Sequence, residues 1–219
     1  MTKEQRLRMY EDFLDNYKPD EKLVVQFYDA YGSFYDQDMS HVEFTSANDC
    51  FKEVLRRFPD GKDLRILDVG AGTGECGKLL FDAGYTNIDG LDGSAVLLEL
   101  AKKRNVYKNL YHEFVTEEPM KNAPAGAYDV VVAAGVFTPR HLSGVHLKTV
   151  LRCAKKGKKN SDARGTLIIS GNPYNDENMD MHPAVNALVD AKAAEVIENR
   201  KLLNWWREED GFLLVLCAM

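Results

Sequence analysis

Apolar residues at the start of the chain recur three and four apart. Leu7, Tyr10, Phe13, Leu14 and Tyr17 form one face of a helix that Pro19 ends. Leu23 to Ala30 and Phe44 to Phe58 repeat that spacing, with the aromatic cluster Phe27, Tyr28, Tyr31, Phe34 and Tyr35 between them and Pro59-Asp60-Gly61 as a turn. The pattern then changes. Leu64 to Val69 is a short β-branched run that stops at glycines, which predicts a buried parallel strand, and Glu75 to Ala83 returns to helical spacing with Leu79, Leu80 and Ala83 on one side. Further strands are predicted at Asn87–Leu91, Leu110–Val115, Tyr128–Gly135 and Gly165–Ser170. Helices are predicted from the Ser94 N-cap to Ala101, over Leu147–Ala154 and over Pro183–Glu198, the last burying Val185, Leu188, Val189, Val196 and Ile197. Lys201–Trp206 and Phe212–Cys217 read as a hairpin around Arg207-Glu208-Glu209-Asp210-Gly211. Helices alternating with strands define an α/β protein with a mostly parallel sheet. It divides into a helical segment (1–60) and a core (61–219) within one domain.

Composition narrows the partners. A chain of 219 residues, 45% hydrophobic and 28% charged, buries a full core. Its net charge of -6 argues against a nucleic-acid or anionic-membrane binder, since both need a basic surface. Lys102-Lys103-Arg104 and the four lysines of 155–159 read as solvated charge. Cys50, Cys76, Cys153 and Cys217 have no paired spacing for zinc or a disulfide framework and read as reduced thiols. No metal site is expected. Met1 to Arg6 lacks the apolar run of a signal peptide, which predicts a cytoplasmic protein with nuclear entry left open.

The chemistry concentrates in Asp68-Val69-Gly70-Ala71-Gly72-Thr73-Gly74. Gly70, Gly72 and Gly74 permit a tight turn and close backbone approach to a ligand. With the helix that follows, they present amides towards a small molecule. Gly72-x-Gly74-x-x-Gly77 also fits the dinucleotide fingerprint, a weak signal alone. Asp68 discriminates. A carboxylate aimed into the turn repels a pyrophosphate but suits a ligand carrying an ammonium and no phosphate, as S-adenosylmethionine does. About 20 residues further on, Asp92 ends a second strand where it can accept ribose hydroxyls. By the same logic of strand ends, Gly135, Val136 and Phe137 belong beside the ligand, and His141 is the candidate general base.

Asp68 to Gly74 resembles the first motif of the class I S-adenosylmethionine-dependent methyltransferases, and Gly90-Leu91-Asp92-Gly93-Ser94 their second-strand motif. Three further segments are similar to the methyltransferase-like proteins named after the Williams-Beuren syndrome chromosomal region. They are Phe27 to Asp36, Gly84 to Asp92 and Tyr128 to Phe137. The resemblance implies a Rossmann-like seven-stranded sheet, mostly parallel, with helices on both faces, a C-terminal antiparallel hairpin and an N-terminal helical lid. It implies S-adenosylmethionine as cofactor, S-adenosylhomocysteine as product, and methyl transfer to an O, N or S nucleophile. The acceptor expected is a small molecule, with a protein side chain as a second possibility. Carried onto this sequence, the cofactor site comprises Tyr31, Asp68, Gly70, Ala71, Gly72, Thr73, Gly74, Asp92, Gly93, Ser94, Val115, Thr116, Gly135 and Val136. The acceptor side comprises Tyr28, Tyr35, Phe137, Asn172 and Tyr174. The family usually places an Asp after the third strand for adenine, and here Phe114-Val115-Thr116 stands instead. Two other readings are a cofactor-binding protein without turnover and a dinucleotide-dependent oxidoreductase.

Overall fold

The computed structural model describes residues 1–16, 21–39, 45–157, 165–171, 180–206 and 209–219. Helices α1 (Lys3–Asn16), α2 (Glu21–Met39) and α3 (Ser46–Arg57) come first. The core then alternates as β1 (Ile66–Val69), α4 (Glu75–Asp82), β2 (Ile88–Asp92), α5 (Ala95–Lys103), β3 (Asn109–His112), β4 (Val130–Phe137), α6 (Gly144–Arg152) and β5 (Thr166–Gly171). It closes with α7 (Met181–Asp190), β6 (Ala194–Trp206) and β7 (Glu209–Ala218). The strands form one seven-stranded sheet in the order β3-β2-β1-β4-β5-β7-β6. Neighbours from β3 to β5 pair in parallel, whereas β7 is antiparallel to both β5 and β6. The expected architecture is therefore present.

Both faces of the sheet are covered. On one, Leu67, Val69, Val131 and Leu214 pack against Leu147 and Val150 of α6 and Val185 and Leu188 of α7. On the other, Ile66, Val130, Val132 and Val215 pack against Cys50 and Val54 of α3 and Leu80 of α4. The central strands are buried on both faces, which is why they read as continuous apolar runs. Because α3 lies on the sheet, the segment lying over the carboxyl ends of the strands is α1 and α2 alone. These two are joined by aromatic stacking, Phe13 on Phe27 at 4.1 Å and Tyr10 on Tyr31 at 5.6 Å. A buried ion pair adds to this, with Arg6 donating Nε and Nη2 to Asp38 at 2.7 Å each.

Three boundaries depart from the sequence reading. The aromatic cluster does not separate two helices; it is the middle and end of α2. The third strand stops at His112, so Phe114 and Val115 lie beyond it. The helix predicted over 183–198 ends at Asp190, after which Lys192 turns the chain at φ 54° and β6 begins at Ala194. Val196 and Ile197 are then partly exposed strand residues instead of a buried helix face, and Val189 is exposed as well. Pairing of Ala194 to Trp206 with β7 decides this, since long-range ladder bonds override local helical spacing.

Candidate functional site

The turn after β1 is fixed by left-handed backbone at Gly70 (φ 69°), Gly72 (φ 55°) and Gly74 (φ 91°). At Gly70 there is a second constraint, because a Cβ would meet Val136 at 2.7 Å. Four amides of the turn have partners within the protein. Gly70 and Ala71 donate to the Leu91 carbonyl, and Gly74 donates to that of Ala71. The Gly72 amide donates to Asp92 Oδ2 at 2.8 Å. These four donors are thus satisfied within the fold. Asp92 also accepts from the Ser94 amide through Oδ1 at 2.8 Å, so β2 and the turn are clamped by one carboxylate with lone pairs to spare. Burial pushes its carboxyl upward, and the two amides oppose that.

Asp68 is the buried acid of the site. Its Oδ2 accepts from the Tyr107 hydroxyl at 2.7 Å, while Oδ1 has no hydrogen-bond partner. Burial raises the carboxyl to about 6, aided by the nearby Asp92; Tyr107 and the Gly77 amide pull the other way. An unpartnered buried carboxylate oxygen costs free energy unless something donates to it, so the position suits a cationic donor.

Two cavities meet at the turn. The first encloses about 800 Å³, lined by Val24, Val25 and Tyr28 of α2, Asp92, Gly93 and Ser94, Leu97, Glu113, Phe114, Val115, and Gly135 to Val136 with His141 and Leu142. The second encloses about 910 Å³, lined by Asp36, Ser46 to Asn48, Asp68, Ala71, Thr73, Glu75, Cys76 and Arg104. Tyr35, Gly70, Gly72 and Ala134 line both. Together they form a channel whose neck is the glycine turn under the Tyr35 ring.

His141 lies in the first cavity with its Nε2 2.8 Å from the Tyr28 hydroxyl. Its Nδ1 is 3.0 Å from the Pro139 carbonyl, which only accepts, so Nδ1 carries the proton. Nε2 is then the lone pair, and Tyr28 donates to it. Burial lowers the imidazole and raises the phenol, so both are neutral near pH 7. Phe13 of α1 packs edge-on against the same ring at 5.9 Å.

Arg104 is not the solvated charge that its place in Lys102-Lys103-Arg104 predicts. Its Nε donates to the Thr73 carbonyl at 2.7 Å, and Nη2 reaches Asp36 of α2 at 2.8 Å and Glu75 at 3.0 Å. It ties the turn to the helix above it. Thr73 bonds Asp36 as well, and Ser94 donates to Asp29 at 2.6 Å while capping α5.

Several expected site residues fall elsewhere. Tyr31 is fully buried between α1 and α2 with its hydroxyl on Asp38, and it lines neither cavity. Phe137 is a core residue at 0% exposure, because β4 turns its side chain back under the sheet after Val136. Thr116 lines neither cavity; its hydroxyl accepts from the Glu118 amide in a local turn. Asn172 and Tyr174 lie outside the described residues. Conversely, Val24, Val25, Leu97, Glu113, Arg104 and Tyr107 are site residues that the sequence reading missed. With β3 ending at His112, Glu113, Phe114 and Val115 follow it and line the first cavity.

The mostly parallel seven-stranded sheet has a Rossmann-like fold, and residues 66–157 match the family described as a methyltransferase domain. The human methyltransferase-like protein 27 is 32% identical over 123 residues, 55% of this chain and 49% of that protein. The chain thus matches about half the length of its curated relative. Among solved structures, magnesium protoporphyrin IX methyltransferase from Synechocystis with bound S-adenosylmethionine superposes with a TM-score of 0.63 at 13% identity, over 94% of this chain and 100% of that one. The [4+2]-cyclase SpnF superposes with a TM-score of 0.66 at 14% identity, over 91% and 96%. At such identities the likeness is one of fold.

Proposed function

We propose that this chain binds S-adenosylmethionine and moves its methyl group onto an oxygen, nitrogen or sulfur nucleophile of a small molecule. The observation that carries this is the unpartnered Asp68 Oδ1, buried beside a glycine turn whose own amides are already bonded. Such a site asks for a cationic donor and offers little to a phosphate. The residues present fit the group. Asp68 would hold the amino group in the second cavity, Asp92 the ribose hydroxyls, and Leu97, Phe114 and Val115 the adenine in the first. Tyr35, at the neck, presents an aromatic face where a sulfonium would lie, which attracts positive charge and excludes water.

Bound there, S-adenosylmethionine supplies an electrophilic methyl group. The chain supplies position and dryness, and proximity of this kind lowers a barrier by roughly 7–11 kcal/mol. It also supplies a proton acceptor. Neutral His141 Nε2, reached through the Tyr28 hydroxyl, can take the proton an acceptor releases. Helices α1 and α2 act as the lid, since Phe13, Tyr28 and Tyr35 enclose the site from above.

The test is calorimetry with S-adenosylhomocysteine and with NADH, followed by methyl-labelled S-adenosylmethionine against a panel of small-molecule acceptors. Tight binding of S-adenosylhomocysteine with transfer is expected. Stabilisation by NADH alone would remove the proposal. A cyclase on the same fold keeps one second reading in play, a cofactor-dependent protein that transfers no methyl group. Binding without transfer across the panel would select it.

A further inference from the structure

We infer that Tyr107 is the positioning residue that fixes which oxygen of Asp68 the site offers, and so the charge of ligand that the glycine turn accepts. The inference rests on reading this turn as the S-adenosylmethionine site. Tyr107 lies after α5, 39 residues from Asp68, and its hydroxyl donates to Asp68 Oδ2 at 2.7 Å. Its ring reaches that carboxylate through a slot that Gly77 opens, with Gly90 and Gly74 closely lining it. A Cβ at Gly77 would stand 2.3 Å from the Tyr107 Cζ and Oη, one at Gly90 3.0 Å from Cε1, and one at Gly74 3.1 Å from Cε2. Gly77 is the third glycine of the apparent dinucleotide fingerprint. Here it makes room for a tyrosine, which is a reason unrelated to any pyrophosphate.

The consequence is electrostatic. With Oδ2 held by the phenol, Oδ1 is the atom left without a donor, and Asp68 lines the second cavity. The groups that face Asp68 are Tyr107, the Gly77 amide and Cys76 of α4, Cys50 of α3 and Asp92 at the end of β2. None of them is cationic. Burial and the neighbouring carboxylate keep the Tyr107 phenol protonated, so it acts as a donor only. The positive charge that Oδ1 calls for must then come from the ligand. Without the phenol, the carboxylate loses the bond that favours its ionised form and is free to rotate.

Tyr107→Phe keeps the ring in its slot and removes only the hydroxyl. In ligand-free protein labelled at aspartate Cγ, with Asp68→Asn to assign the resonance, the Asp68 carboxyl should titrate at higher pH in Tyr107→Phe than in wild type. By calorimetry at pH 7, S-adenosylhomocysteine should bind roughly ten-fold more weakly to the variant. The analogue lacking the α-amino group should lose under about two-fold, because it makes no demand on Oδ1. An unmoved carboxyl titration, or an equal loss for both ligands, would overturn the assignment in favour of a packing role. A shifted titration in a protein that binds no S-adenosylhomocysteine would uphold the Tyr107–Asp68 coupling and sink the cofactor reading instead.

Discussion

Asp92→Ala tests the clamp between β2 and the glycine turn. The carboxylate accepts from the Gly72 and Ser94 amides at 2.8 Å each, and alanine leaves both donors without that acceptor. A buried donor so orphaned costs about 1–3 kcal/mol. Two effects argue for the low end. Asp92 is only partly buried, so water can reach the amides, and burial pushes its carboxyl upward, so removing it also removes an acid that the fold desolvates. About 2 kcal/mol remains, which for a chain of this length lowers the melting temperature by about 4–8 °C. The protein should still fold, because the β1–β2 register and both apolar faces are untouched. Ligand response should change more. At a hundred-fold excess over its dissociation constant, S-adenosylhomocysteine stabilises wild type by about 2.7 kcal/mol, and at the same concentration the variant should gain almost none of that. Differential scanning calorimetry with and without ligand reads both effects. A variant that melts with wild type and keeps the ligand-induced rise would refute both the clamp and the ribose assignment.

Three further outcomes follow from the site and its lid. Burial raises Asp68 from 3.8 to about 6 in the fold, so ligand-free wild type keeps that contribution to stability below about pH 4 and loses it as pH rises through about 6. Asp68→Asn should flatten the melting temperature over that window while weakening S-adenosylhomocysteine binding; a parallel curve for the two proteins would contradict the burial argument. Nitrogen-15 NMR should show His141 as the Nδ1–H tautomer near neutral pH, and an Nε2–H signal would reverse the direction of the Tyr28 bond. Asp38→Ala strands Arg6 and the Tyr31 hydroxyl in the α1–α2 contact and loosens the packing of α1 on α2. Its first sign should be rapid proteolysis of α1 under conditions in which the sheet resists, so equal digestion rates would count against the anchor.

Local chemistry is what a sequence displays best. Strand β1, its glycines, Asp68 and Asp92 were legible because a β-branched run, a change of period and two acids lie within 25 residues of one another. The wall of the site was harder to read. Once α2 is seen as continuous to Met39, Tyr28 and Tyr35 are seven apart and share the face over the cavity, while Phe27 and Tyr31, four apart, share the face towards α1. Ending that helix at Ala30 conceals the difference, so nothing in the pattern corrects the place at the cofactor that the resemblance implies for Tyr31. The start of β6 was hidden for another reason, since the turn at Lys192 uses left-handed backbone without a glycine to announce it. Tyr107 had a signal that is easily missed. Gly77 in the first turn of α4 and Gly90 within β2 have no turn to make, so a missing Cβ at each marks the close approach of something bulky.

The two halves of the site differ in what holds them. Asp68, Asp92 and the glycine turn sit on strands buried on both faces, and their positions are set by the sheet and by bonds within the turn. Tyr28, Tyr35, Val24 and Val25 ride on α2, which packs against Val96 and Leu97 of α5 at Gly32 and is fastened by polar links: Tyr28 to His141, Asp29 to Ser94, and Asp36 to Thr73 and Arg104. Most of these links end on residues that themselves line a cavity. A ligand filling the channel therefore touches both the rigid floor and the points that fasten the lid, so binding and lid closure share one set of contacts. Such an arrangement separates two properties. Under the proposed function, affinity for the nucleoside falls mainly to the floor and choice of acceptor to the wall and the Tyr28–His141 pair. Substitutions on α2 that spare Tyr28 and its links should then alter which acceptor is used before they alter whether S-adenosylhomocysteine binds.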